Sequence, residues 1–229
     1  MQPFARTIRL PFDVPYFAQV ASPELAGPIF AEGLDARLDP RWEEFGAEIA
    51  EEYAYWCWRA CGQACVKMCV EALGGERRSL MDWVRAGLTQ AGYLVEKDDR
   101  GNPIEVGWLH RALAELIQAA GFPAVAQPVA LDEFPNYLSE GCLLIASVSY
   151  EVGLDCGPVT HKSGHLVVVT GADLLGDAIE NVIINNPSGR SEALRARACI
   201  PIGRFQAGYS GRGIVIDQPT TADNQFWLF

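Results

Sequence analysis

The 229-residue chain carries seven cysteines but only three histidines, His110, His161 and His165, so chemistry that needs an imidazole must use one of three positions. Four of the cysteines, Cys57, Cys61, Cys65 and Cys69, recur at intervals of four. On a helix that spacing lines the thiols along one stripe, which suits neither a disulfide framework nor a tetrahedral metal site. Cys61 stands apart because Gly62 follows it and an apolar helical run begins there. A thiol at a helix N-terminus faces the positive end of the macrodipole and unpaired backbone N–H groups, and both favour thiolate. His165 follows Gly164 and opens the strand-like run His165–Thr170. Asn186 follows a second such run, Asn181–Asn185, and Pro187 stops it. If these two strands are antiparallel neighbours, the start of one lies beside the end of the other. The Asn186 carboxamide can then accept from His165 Nδ1–H, fix the tautomer and leave Nε2 facing a sulfur. Thiol, imidazole and carboxamide together are the parts needed to attack an acyl carbonyl. His161, in the loop Gly157–Gly164, is the rival imidazole, whereas His110 reads as a packing or surface residue. Trp56 and Trp58 bracket Cys57 and wall either a cleft or the core.

Those three side chains need a helix and a sheet to hold them. Residues 1–38, punctuated by Pro and Gly, read as extended arm and loop. Asp39-Pro40 reads as an N-cap and first helical residue, followed by Trp42, Phe45, Ile49 and Tyr53 at helical spacing with a break near Gly46. A second helix is expected over Cys61–Leu73, ended by Gly74-Gly75, with Cys65 and Cys69 as small core residues. Ser79 caps a third, which runs through Leu88 and stops at Gly92. A fourth is expected over Pro103–Ala120, and Asp132 opens a short fifth. Beyond Glu140 the pattern changes to strand-like runs at Cys142–Tyr150, His165–Thr170, Asn181–Asn185, Ala198–Ile202 and Gly213–Asp217. The expected fold class is α+β in one domain over 1–229. Its helical part covers about 39–140 and its antiparallel sheet about 141–217. The tail 218–229, apolar at its end, is expected to tuck onto the body.

Four blocks, in order, carry a resemblance. Ala60-Cys61-Gly62-Gln63-Ala64-Cys65-Val66-Lys67-Met68 resembles the Cys-Gly-x-Ala-Cys-x-x-Met signature of the C39 cysteine peptidases and their C39-like relatives. Gly164 to Gly171 resembles that family's Gly-His-x-x-Val-Val-x-Gly block. Asn185-Asn186-Pro187 stands where the family usually has Asn-Asp-Pro, and Asp13 to Gln19 resembles its leading Val-Pro-Tyr-x-x-Gln. The resemblance runs from Asp13 to about Asp217. It implies a papain-like fold in which Cys61 is the nucleophile, His165 the general base and acid, Asn186 the orienting residue and Gln19 an oxyanion donor. Asn186 in place of Asp removes a charge, and the 42-residue gap between Gln19 and Cys61 is longer than usual for the family, with Gln63 as the fallback donor.

Composition bounds the partners. An apolar share of 49% describes a chain able to bury a core. The 29 acidic against 18 basic residues give a net charge of -11, which disfavours nucleic acid and anionic membrane and makes basic, zwitterionic or neutral substrates easier to accept. No apolar run is long enough for a membrane span, no signal-peptide pattern opens the chain, and free thiols suit a reducing cytoplasm. No Walker A or dinucleotide-binding motif is present, and neither a cofactor nor a metal is expected. A peptide or peptide-like substrate is expected, and nothing in the sequence sets an oligomeric state. The leading expectation is hydrolysis of a peptide or amide bond through a thioester. Acyl transfer or peptide cyclisation by the same thioester, and a catalytically silent peptide-binding module, are the rivals.

Overall fold

The computed structural model describes residues 4–218. Among these the helices are α1 (Ala26–Ala31), α2 (Ala50–Trp56), α3 (Cys61–Ala72), α4 (Leu80–Thr89), α5 (His110–Ala119), α6 (Phe134–Ser139) and α7 (Ile202–Gly208). The strands are β1 (Ala5–Arg9), β2 (Tyr93–Lys97), β3 (Pro103–Trp108), β4 (Ala124–Pro128), β5 (Leu143–Val148), β6 (His165–Leu175), β7 (Ala178–Asn185), β8 (Ala198–Pro201) and β9 (Tyr209–Ile216). Strands β4, β9, β5, β6, β7 and β8 pair in that order, and β1 pairs with the second half of β6, every pairing antiparallel. The α+β class is therefore observed.

Strand β6 is the spine. It is enriched in Val and Leu, and most of its residues are buried, so apolar side chains on both its faces leave water. Burying each such side chain is worth roughly 1.5–3 kcal/mol, which favours a central position over an edge. Helix α3 packs on β6. Its close approach depends on Gly62, where an added Cβ would fall 2.8 Å from Leu113 Cδ1 and 3.3 Å from Leu166 Cδ1. Cys65 and Cys69 are buried in that interface, as the cysteine stripe predicts.

Four expectations are corrected. The helix expected over Pro103–Ala120 begins only at His110, because Pro103–Trp108 pairs with Tyr93–Lys97 as a hairpin. Asp98 accepts from the backbone N–H groups of Arg100 and Asn102 to close its turn, and Ile104 and Val106 favour a strand over a helix. The stretch before 39, expected as extended arm and loop, contains the helix α1 as well as the strand β1, which completes an open stretch of the β6 edge. Strand β4 also joins the sheet from the helical part, and α7 interrupts the strands, so helices and strands are less segregated than the pattern implied. Asp39, finally, is no helix N-cap. It turns inward, 1% exposed, and accepts from Ser22 N (3.0 Å), Ser22 Oγ (2.6 Å), Arg41 N (3.0 Å) and Tyr53 Oη (2.5 Å). The break at Gly46 is present, with a left-handed φ of 89° separating a 3-10 turn at Trp42–Phe45 from α2. The tail Thr220–Phe229 and its expected docking lie outside the described residues.

Burial alone would raise the Asp39 carboxyl, but its hydrogen bonds outweigh burial and hold it below the ordinary carboxylate value. Asp39→Ala, which orphans these donors, is expected to cost about 3 kcal/mol in urea denaturation at neutral pH. The stability Asp39 contributes is present above the ordinary carboxylate value and is lost as pH falls through its lowered one, so the cost should shrink in acid.

Candidate active site

The antiparallel pairing of β6 with β7 sets Val168 opposite Asn185, which brings the first residue of β6 and the residue just past β7 together. His165 Nε2 lies 2.8 Å from Asn186 Oδ1, and both residues are buried. Ser188 completes the arrangement. Its backbone N–H and its Oγ both donate to Asn186 Oδ1 at 3.2 Å, and Oγ lies 3.0 Å from His165 Nε2. A carboxamide oxygen only accepts, so Nε2 carries the hydrogen and Nδ1 keeps its lone pair. This reverses the expected assignment of the two ring nitrogens, because the turn after β7 wraps around Nε2 instead of Nδ1. Gly153 backs the amide from the other side. A Cβ built on it would stand 2.1 Å from Asn186 Nδ2, so no larger residue fits while Asn186 holds this position.

Cys61 is the first residue of α3, and the preceding Ala60 offers no side-chain cap to the first-turn N–H groups. Those groups and the Leu166 backbone N–H surround the sulfur, while no direct hydrogen bond joins Sγ to the imidazole among the described residues. The donors favour thiolate, as expected of a helix start. Burial is the larger effect, however, and the Cys61 thiol is pushed up instead of down. Burial likewise pushes the His165 imidazole down to about 4, against the lift from its bond to Asn186. Both shifts favour the neutral thiol and the neutral imidazole in the resting site.

Cys61 and His165 line one cleft of about 840 Å³, with Trp58, Tyr93, Trp108 and Ser147. The β2–β3 hairpin forms a wall. Its base is fixed by Trp56, Tyr93 and Trp108 rings at 5.1–5.9 Å and by Trp108 Nε1 donating to the Arg59 carbonyl (2.9 Å). Farther out, Glu105 pairs with Arg59 at 2.7 Å and accepts from Tyr55 Oη at 2.8 Å. The two tryptophans thus divide their roles, with Trp58 at the cleft and Trp56 in the aromatic stack behind it.

Of the four predicted residues, the fold brings Cys61 and His165 to the cleft and sets Asn186 directly behind His165. Gln19 lies off the cleft, 4% exposed, with Nε2 donating to the Cys57 carbonyl (2.8 Å) and its backbone N–H to the Pro187 carbonyl (2.9 Å). It thereby ties the segment before the nucleophile to the turn that holds Asn186. Gln63 is fully buried and lies off the cleft. His161 lies outside the cleft, bound to Ser149 Oγ (3.1 Å) and Glu151 (3.2 Å). His110, read as packing or surface, lines the cleft. Ser188, Gly153 and the hairpin wall were not anticipated. The proximity of Ser188 to Asn186 in sequence was the available signal for the first.

Among the described residues no three His, Cys, Asp or Glu side chains cluster as a metal site, no helix is long and apolar enough to cross a membrane, and all seven cysteines are unbridged. No family model matches the chain, and no curated protein sequence matches it significantly. Solved structures similar to it include the peptidase domain of Streptococcus ComA, a bifunctional ABC transporter of a quorum-sensing pathway. That likeness has 17% identity and a TM-score of 0.47 over 71% of this chain and 93% of the other. Another is a double-glycine-motif protease from an AMS/PCAT transporter in complex with its leader peptide, with 14% identity and a TM-score of 0.47 over 96% of this chain and 99% of the other.

Two measurements check the site. Gly153→Ala is expected to displace Asn186 and to lower stability by about 2 kcal/mol in urea denaturation, because the added methyl meets the amide. Because the His165 imidazole is held below its ordinary value, protonation favours the unfolded chain. Its contribution is complete above about 6.5 and is lost as pH falls towards 4, by up to about 3 kcal/mol. Urea midpoints followed across that window should fall in the wild type and flatten in His165→Gln.

Proposed function

We propose that the protein is a papain-like cysteine peptidase of C39-like type, which hydrolyses a peptide or amide bond through a thioester on Cys61. The observation that carries this reading is the buried His165–Asn186 hydrogen bond. It fixes the imidazole as the Nε2–H tautomer, so its basic nitrogen is Nδ1, in a residue that shares a cleft with a thiol at a helix start.

In this mechanism Cys61 Sγ turns from the Leu166 amide towards Nδ1 as a substrate carbonyl enters. The thiol proton passes to Nδ1 while the sulfur adds to the carbonyl carbon, so the ion pair forms along with the new bond instead of standing in the resting enzyme. The Cys61 backbone N–H, uncapped at the start of α3, donates to the developing oxyanion. Gln19, off the cleft with Nε2 on the Cys57 carbonyl, supports this donor indirectly by fixing the segment that leads into α3. The tetrahedral intermediate collapses as Nδ1–H protonates the departing amine, leaving the acyl-thioester. Water, deprotonated by His165, then attacks the thioester and regenerates the thiol. Asn186 and Ser188 hold Nε2–H throughout and share the imidazolium charge that forms briefly. The half-exposed Trp58 at the cleft is compatible with water as the acceptor. Seven unbridged cysteines suit a reducing compartment.

A pooled set of synthetic decapeptides provides the test. Wild-type protein should cleave members of the pool and show a Cys61-linked acyl adduct by intact-mass spectrometry after acid quench. Cys61→Ala should abolish both, and His165→Ala should lower the rate by about a thousandfold or more. Iodoacetamide labelling of Cys61 should have a midpoint above that of a free thiol, about 8.5. Cleavage that survives Cys61→Ala would overturn the assignment.

A further inference from the structure

The net charge of the chain argues against an anionic ligand, yet the cleft has the opposite bias. Three arginines line it, Arg59, Arg111 and Arg212, against one carboxylate, Glu105. Arg59 is engaged by Glu105 (2.7 Å), and Arg111 reaches Glu115 along its own helix (2.6 Å). Arg212 has no ion pair among the described residues. It stands near enough to His110 to lower that imidazole further, after the larger effect of burial. Ser210, on the same strand β9, also lines the cleft, and its Oγ is buried with no hydrogen-bond partner. Leu109, His110 and Arg111 bring the start of α5 to the cleft, with no side-chain cap and no acidic residue in its first turn.

From this grouping we propose that the part of the cleft formed by Arg212, Ser210 and the start of α5 is a subsite for a carboxylate of the substrate. The proposal rests on the peptidase reading for the word substrate, but the binding chemistry stands alone. The guanidinium offers two parallel N–H donors to the two carboxylate oxygens. The Ser210 hydroxyl gains the acceptor it lacks, and the uncapped amides of α5 add the favourable end of a helix dipole. A lysine or arginine side chain entering the same place would meet Arg212 and Arg111, so the subsite selects by charge. The carboxylate belongs either to an acidic side chain or to a peptide C-terminus.

Full-length Cys61→Ala protein, which removes the chemistry, separates these sources by calorimetry and by the fluorescence of Trp58 and Trp108. One probe pair is acetyl-pentaalanine as free acid and as carboxamide. The other is acetyl-Ala-Ala-Glu-Ala-Ala-carboxamide and its Gln counterpart. At low salt the acidic member of at least one pair should bind about tenfold tighter than its neutral isostere. A preference in the first pair assigns the subsite to a C-terminus, and one in the second assigns it to an acidic side chain. Arg212→Gln should reduce that preference to less than about threefold, and the milder Ser210→Ala should reduce it partially. Equal binding within both pairs, or a preference that survives Arg212→Gln, overturns the subsite whatever the outcome of the cleavage assays. Loss of cleavage chemistry with the preference intact would overturn only the peptidase reading.

Discussion

The ladder between β6 and β7 is the constraint on which the site depends. Antiparallel pairing makes the beginning of one strand and the end of the next spatial neighbours, and the register selects which residues meet. With Val168 opposite Asn185, the imidazole of His165 and the carboxamide of Asn186 come within 2.8 Å without a long loop to position either. The buried faces of both strands hold that register, because a slip by one residue would turn the Val and Ile side chains of each towards the wrong side. The geometry of the candidate site and the packing of the core thus have the same cause. Helix α3 inherits its place from the same sheet, since Gly62 allows it to settle against Leu166, the residue after His165.

Two electrostatic influences compete over Cys61. The start of α3 and the Leu166 amide stabilise negative charge, while the surrounding protein removes the solvent that would stabilise it better. Burial prevails for the thiol, and it prevails for the imidazole as well. A neutral pair has a chemical advantage, because a neutral thiol is less open to adventitious oxidation than a standing thiolate. In the proposed mechanism the energy needed to separate charge is met when a carbonyl takes up the electron pair and the Cys61 backbone N–H meets the developing oxyanion.

The site was more legible in the sequence than the fold around it. Cys61, His165 and Asn186 could be found because each sits at a boundary, where apolar periodicity meets glycine or proline. Boundaries of that kind survive in a one-dimensional reading. The choice of imidazole nitrogen did not, since it depends on how the turn at Pro187-Ser188 folds back around the ring. Gly153 carries no local signal at all; its need for a missing Cβ arises from a contact 33 residues away. The hairpin is hidden in the sequence because Leu109, Leu113, Leu116 and Ile117 give a strong helical period that masks the strand character of Pro103–Trp108. Asp39 misled for a related reason. Asp before Pro is a good cap locally, but Ser22 and Tyr53 supply donors from a distance, and the tertiary contacts prevailed. Net charge, a property of the whole chain, gave no hint that the cleft itself is rich in arginine.

The hairpin wall is fastened differently along its length. Near the body it is held by stacked aromatic rings, which dissolved ions hardly affect. Farther out it is held by Arg59 and Glu105, whose side chains are 25% and 37% exposed and whose attraction is therefore screened as electrolyte accumulates. In concentrated electrolyte the outer fastening weakens first while the inner one persists, so the grip on the hairpin's outer part, unlike that on its base, depends on the surrounding medium.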